Sequence, residues 1–116
     1  MGMDLFGICP YTTAQKILSG KWTLYVLYLL SVKTMRFNEL QRELGSLTQA
    51  TLTKQLRTME ENGLVVRKAY NQIPPKVEYS LSEQGKKFLP VLRELEVWGK
   101  GYIGYMKEKG KPYKCE

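Results

Sequence analysis

Residues 36–81 read RFNELQRELGSLTQATLTKQLRTMEENGLVVRKAYNQIPPKVEYSL. Phe37, Leu40 and Leu44 recur at i, i+3 and i+7, the signature of a short amphipathic helix, and Gly45 closes it. A second helix starts soon after. Ser46 with Gln49 forms a capping-box pattern, and Thr48 is itself a suitable N-cap. Its apolar stripe is Leu52, Leu56 and Met59, and Asn62-Gly63 stops it. Leu64 to Tyr70 and Val77 to Leu81 are β-rich, and the intervening Asn71-Gln72-Ile73-Pro74-Pro75 is a turn that no helix crosses. Two short helices followed by a two-stranded ribbon are the plan of a winged helix-turn-helix, with the helix pair at about 36–62 and the wing at about 64–81.

The flanks extend this plan. Thr12 with Gln15 forms a capping-box pattern that predicts a helix over 12–19, and Gly20 suits the positive φ that ends one. Lys21 to Val32 reads as an apolar helix, with Trp22, Val26, Leu29 and Leu30 on one face and Leu27 close by, forming the middle of the core. Met35-Arg36-Phe37 is expected to be briefly extended. Beyond the wing, Ser82 is placed to cap one long helix reaching about Lys107, with Pro90 inside it as a bend. Phe88, Leu92, Leu95, Tyr102 and Met106, with Gly99 in register, approximate a heptad seam. Either the seam covers the chain's own core or it pairs with a second copy. Trp98, Tyr102 and Tyr105 exceed what one small core needs, and Gly99, Gly101 and Gly104 permit close backbone approach. The preferred reading is a homodimer through helices 12–19 and 82–107, with Phe88, Leu92, Leu95, Trp98, Tyr102 and Tyr105 at the interface. The tail from Lys109 to Glu116 is expected to be loose. The fold class is α+β, mainly helical, in a single winged helix domain over 1–116.

Composition narrows the function. With 116 residues, 43% hydrophobic and 25% charged, the chain suits one soluble domain. Its longest apolar stretch, Trp22 to Leu30, is too short to span a bilayer, and the N-terminus does not resemble a signal peptide. The expectation is a cytoplasmic protein with no membrane partner. Eighteen Lys and Arg against 11 Asp and Glu give +7, compatible with nucleic acid, an anionic membrane or an acidic protein. Histidine is absent, removing the commonest general base and the usual nitrogen ligand of zinc. Cys9 and Cys115 cannot build a four-ligand site. Neither catalytic residues, a metal nor a cofactor is expected, and the chain is not read as an enzyme.

The second helix of the pair carries the chemistry. With its stripe turned inward, its outer face presents Gln49, Ala50, Thr51, Thr53, Lys54 and Arg57, after the cap Thr48. Gln pairs bidentately with adenine, Thr and Ala methyl groups meet the thymine methyl, and Lys or Arg reaches guanine or phosphate. No acid falls between Thr48 and Met59; Glu60 and Glu61 follow at the far end. Arg36 and Asn38 stand at the start of the first helix, where a cation and backbone N–H groups grip one phosphate together. Arg67, Lys68 and Lys76 supply the wing with a basic edge. The bland alternative for each is a solvated surface, and a winged helix also serves as a protein–protein interaction module that never touches DNA. Cys9, just before the Thr12 helix start, is either a reactive thiolate favoured by a helix N-terminus or a buried, inert cysteine.

Six fragments in order resemble the HxlR-type family of bacterial winged-helix transcription regulators. They are Cys9-Pro10, Gly20-Lys21-Trp22-Thr23, Arg36-Phe37-Asn38-Glu39-Leu40, Leu52 to Arg57, Glu61 to Val65, and Pro74 to Leu81. The resemblance implies a homodimer joined through its terminal helices on palindromic double-stranded operator DNA. It places Thr48 to Arg57 in the major groove, Arg67 to Lys76 in the wing, and Arg36 on a phosphate. Some members sense electrophiles or oxidants through a cysteine in the position of Cys9, which makes Cys9 a candidate redox sensor.

Overall fold

The computed structural model describes residues 4–110. They fall into two units, one ending at Lys86 and the other beginning at Lys87.

In the first unit, α1 (Pro10–Leu18) and α2 (Thr23–Val32) precede β1 (Met35–Arg36), α3 (Phe37–Leu44), α4 (Gln49–Glu61), β2 (Val65–Tyr70), β3 (Lys76–Leu81) and the short α5 (Glu83–Lys86). The expected Met35 extension is a strand, and it adds a third member to the ribbon. The sheet is antiparallel in the order β1-β3-β2, with Met35 opposite Tyr79 and a ribbon paired from Val65–Leu81 to Tyr70–Lys76. Two residues are too few to show a period, which is why the sequence suggested two strands.

The core lies where α2, α3, α4 and the sheet meet. Val26, Leu27, Leu40 and Leu52 are wholly buried; Leu30, Leu44, Leu56, Met59, Val65 and Tyr79 surround them. Each buried aliphatic side chain contributes roughly 1.5–3 kcal/mol, so three such residues on one side of α4 are enough to hold it down. The caps that bound the helix pair follow the sequence. Thr48 Oγ1 accepts from the Thr51 N–H at 3.1 Å, Gly45 closes α3 at φ +72°, and Gly63 follows α4 at φ +77°.

Three helix boundaries differ from expectation. α1 starts on Pro10, not Thr12, because proline presets helical φ and loses nothing where the N–H has no partner. Cys9 is therefore the N-cap, and the Thr12 hydroxyl donates back to the Cys9 carbonyl at 3.3 Å. α2 starts at Thr23, with a half-buried Trp22 as N-cap. The long last helix is two helices. Ser82 caps α5 by accepting from the Gly85 N–H at 2.9 Å while its own hydroxyl donates to the Gly63 carbonyl. Gly85 is buried against the Leu64 carbonyl, which already accepts from the Ser82 N–H at 3.0 Å. Pro90 falls in the first turn of α6, where it starts a helix instead of bending one.

The second unit is α6 (Leu89–Glu108). Trp98 stacks on Tyr102 at 5.3 Å between ring centroids, and Tyr102 tilts against Tyr105 at 5.5 Å. Val97, Trp98, Tyr102, Ile103 and Tyr105 are exposed, and no residue of α6 is buried. Cys115 lies outside the described residues.

Candidate nucleic-acid interface

α4 presents two opposite faces because its buried residues recur every three or four positions. Leu52, Leu56 and Met59 turn inward, and Gln49, Ala50, Thr51, Thr53, Lys54 and Arg57 are exposed. Not every polar group outside is available to a ligand. Thr48 donates to Thr51 Oγ1 at 2.9 Å while accepting the Thr51 N–H, so its hydroxyl is occupied by the cap. Thr53 donates back to the Gln49 carbonyl at 2.8 Å, leaving its methyl group and oxygen lone pairs facing outward. Among the described residues the side chains of Gln49, Lys54 and Arg57 donate to no protein acceptor. Among the described residues neither Lys54 nor Arg57 forms an ion pair.

A cleft runs between this helix and the ribbon. Gln49, Thr53, Arg57 and Glu60 line it from α4, Phe37 from α3, and Arg67, Val77 and Tyr79 from the sheet. Glu60 therefore belongs to the cleft beside Arg57 and Arg67; its i+3 spacing from Arg57 is the signal that places it there. The period of two along a strand separates the wing cations. Arg67 shares the cleft face with Val77 and Tyr79, whereas Lys68 and Lys76 belong to the opposite face with Tyr70 and Glu78. There the two ammonium groups sit 4.9 and 4.7 Å from the Tyr70 ring centroid, and Lys76 pairs with Glu78 at 3.4 Å. The Tyr70 hydroxyl donates to Glu78 at 2.9 Å; this bond first, and Lys76 second, holds the Glu78 carboxyl below its ordinary range. The wing cations are thus divided between two faces instead of forming the single basic edge expected. At its tip Ile73 is 99% exposed, an apolar residue that charge-based reading passes over.

Arg36 is the N-cap of α3, exposed, and forms a shallow hollow with Asn38, Glu39 and Arg42. Arg42 was not singled out from the sequence, although i+4 spacing from Asn38 puts it on the same face. A guanidinium has no acceptor, so only one half of a capping box exists here: Glu39 accepts the Arg36 N–H at 2.9 Å. That bond, then Lys33 at 3.3 Å, keeps the Glu39 carboxyl below its ordinary value.

Away from the cleft, Cys9 is half-buried at the head of α1. Its sulfur occupies the place where a serine or aspartate oxygen usually caps a helix, without a cap hydrogen bond in the thiol form. The Thr12 N–H, then the Thr12 hydroxyl and the Tyr11 N–H, favour the thiolate and lower the thiol pKa. The predicted interface residues Leu95, Trp98, Tyr102 and Tyr105 are exposed on α6, and Leu92 and Phe88 are half-buried.

The chain is similar to known proteins. An HTH-type transcriptional regulator of Halalkalibacterium halodurans is 45% identical over 91 residues, covering 78% of this chain and 80% of that one. The HTH-type transcriptional regulator YkvN of Bacillus subtilis is 46% identical over 94 residues, 81% of this chain and 79% of its own. Among solved structures, the redox regulator HypR in its reduced form superposes with a TM-score of 0.81 at 37% identity, covering 86% of this chain and 99% of that one. Reduced YodB from B. subtilis gives 0.70 at 28% identity over 78% and 90%. No helix among the described residues is long and apolar enough to cross a membrane. The model of the HxlR-like helix-turn-helix matches residues 17–107, and the chain belongs to that family of transcriptional regulators, which are not enzymes.

Proposed function

We propose that the chain binds double-stranded operator DNA in a sequence-specific manner, as a homodimer on a palindromic site, and so controls transcription from the cytoplasm. One observation carries the reading: the solvent face of α4 presents Gln49, Lys54 and Arg57 with no acid from Thr48 to Met59, beside Arg67 across an open cleft. α4 enters the major groove, Arg36 with Asn38 and Arg42 grips a phosphate at the head of α3, and the wing follows the neighbouring backbone. The dimer is supported by apolar surface that neither unit covers by itself. α2 exposes Leu24, Tyr25, Tyr28 and Val32 opposite its buried face, and α6 is a lone helix with an aromatic ladder. A two-fold axis would present two α4 helices to half-sites about one helical turn, or a multiple of it, apart.

Cys9 fits a sensor of electrophiles or oxidants. Its helix N-terminal position favours the nucleophilic thiolate, and the similar HypR is named a redox regulator. The test is a mobility-shift series on DNA flanking the chain's own gene at rising salt, with and without diamide. Saturable, salt-sensitive binding that diamide alters in the wild type but not in Cys9→Ser supports both readings. An interaction scaffold would bind no duplex at any salt. A Cys9→Ser chain that still responds would remove Cys9 as the sensor.

A further inference from the structure

The apolar stripe of α4 holds its inner side in the core, but apolar contact has no preferred direction, so a modest turn about the helix axis can be absorbed by repacking. One directional bond does resist it. Gln55, beside the stripe and between Lys54 and Arg57 in sequence, donates from Nε2 to Thr23 Oγ1 at 3.0 Å. Thr23 is 2% exposed and its own proton is already given to the Ser19 carbonyl at 2.7 Å. The hydroxyl can therefore only accept from Gln55, which also fixes which way the amide points. The corner is built around this pair. Gly20 takes φ +109°, and a Cβ there would lie 2.9 Å from Thr23 Oγ1 and 3.7 Å from Gln55 Oε1.

We infer that Thr23 and Gln55 are positioning residues that set the rotation of the DNA-reading helix by keying α4 to the corner between α1 and α2. This rests on the DNA-binding function proposed above. Side-chain atoms on the outer surface of a helix lie about 5–6 Å from its axis, so a turn of about 15° moves them by about 1.5 Å. That exceeds the roughly 0.5 Å window in which a base contact survives. Phosphate contacts through long lysine and arginine stems tolerate the same turn. Loss of the bond should therefore cost sequence discrimination and spare general DNA affinity, a pattern that simple destabilisation does not produce. Because α1 carries Cys9 at its head, the bond also gives any movement of the α1–α2 corner a direct route to the reading face.

The experiment selects an operator from random duplexes with the wild-type chain. It then measures specific and non-specific affinity for Thr23→Val, Gln55→Met, the double variant and Thr23→Ser, alongside each variant's melting temperature. Expected is a loss of about tenfold or more in the specific-to-non-specific ratio for both single variants, on the scale of one base contact per half-site. The double variant should lose no more than either single one, and Thr23→Ser should restore the ratio. Equal loss of specific and non-specific binding, or an unchanged ratio, overturns the proposal. If Thr23→Val does not fold, Gln55→Met at its half-exposed position decides alone. A wild-type chain that enriches no duplex refutes the DNA-binding reading itself, and the positioning role with it.

Discussion

Gly85→Ala tests the seat of α5 beneath the wing. The glycine is buried, and a Cβ there would run into the Leu64 carbonyl oxygen, with the Leu64 carbonyl carbon at 3.3 Å and Leu81 Cδ2 at 3.4 Å. Only the leucine tip can yield; the carbonyl is backbone and is held by the Ser82 N–H at 3.0 Å. Overpacking of this kind costs about 1–3 kcal/mol. Straining the Ser82–Leu64 bond adds about 1 kcal/mol, and the better helix propensity of alanine returns up to about 1 kcal/mol. The net loss of about 1–3 kcal/mol should lower the melting temperature by roughly 4–20 °C for a domain of this size. Thermal unfolding followed by circular dichroism, with a urea titration for the free energy, measures it. A melting temperature within about 2 °C of wild type, with an unchanged urea midpoint, would show that α5 does not rest on Leu64 and would refute the steric argument.

Arg57→Ala and Lys54→Ala should each lower the log–log salt slope of operator binding by about 1.8, about 0.9 from each subunit of the dimer, if the side chain meets a phosphate; a base contact would leave the slope and relax preference at one position of each half-site, and no effect on either removes the residue from the interface. In a Cys115→Ser background, the pH profile of Cys9 alkylation should lie to lower pH in the folded chain than in urea, because the N–H groups of α1 favour the thiolate. The folded pKa being the lower one, the associated stability is present above the unfolded value and fades as pH falls through the folded value; coincident profiles would contradict the placement. The same sign applies to Glu39, whose hold on the Arg36 N–H should weaken as pH drops through its lowered pKa, and Glu39→Gln should remove that part of the acid sensitivity of melting. Gly99→Ala meets nothing within 4 Å in one chain and alone should firm α6 by about 1 kcal/mol; weaker dimerisation in sedimentation would place a second backbone there, and an unchanged dimer would exclude Gly99 from the interface.

The helix pair was legible because its signals are local and agree. The i, i+3, i+7 stripe of α3, the Leu52, Leu56 and Met59 stripe of α4, the Thr48 cap and the glycines at 45 and 63 all act within a turn or two of the residues they govern. What escaped depends on partners distant in sequence or on competition between neighbouring signals. Thr12-x-x-Gln15 and Pro10 both announce a helix start, and proline, with φ already set, prevailed. The break between α5 and α6 follows no strong breaker except Pro90, whose fit to a first turn is as good as its power to bend. The Gln55–Thr23 bond joins residues 32 apart, and no single sequence carries a mark of such a pair. For the site, α4 could be read because periodicity separates inside from outside; the wing could not be read from charge alone, since adjacent Arg67 and Lys68 point opposite ways.

That alternation limits how such a wing can be lengthened. Adding one residue to each arm extends it by about 3.3 Å but exchanges the two surfaces, carrying the aromatic clasp around Tyr70 toward the helix side. Two residues per arm extend it by about 7 Å and restore the original assignment. Reach along the duplex is therefore adjustable only in coarse, even-numbered increments, and intermediate lengths would call for a bulge or a new set of side chains.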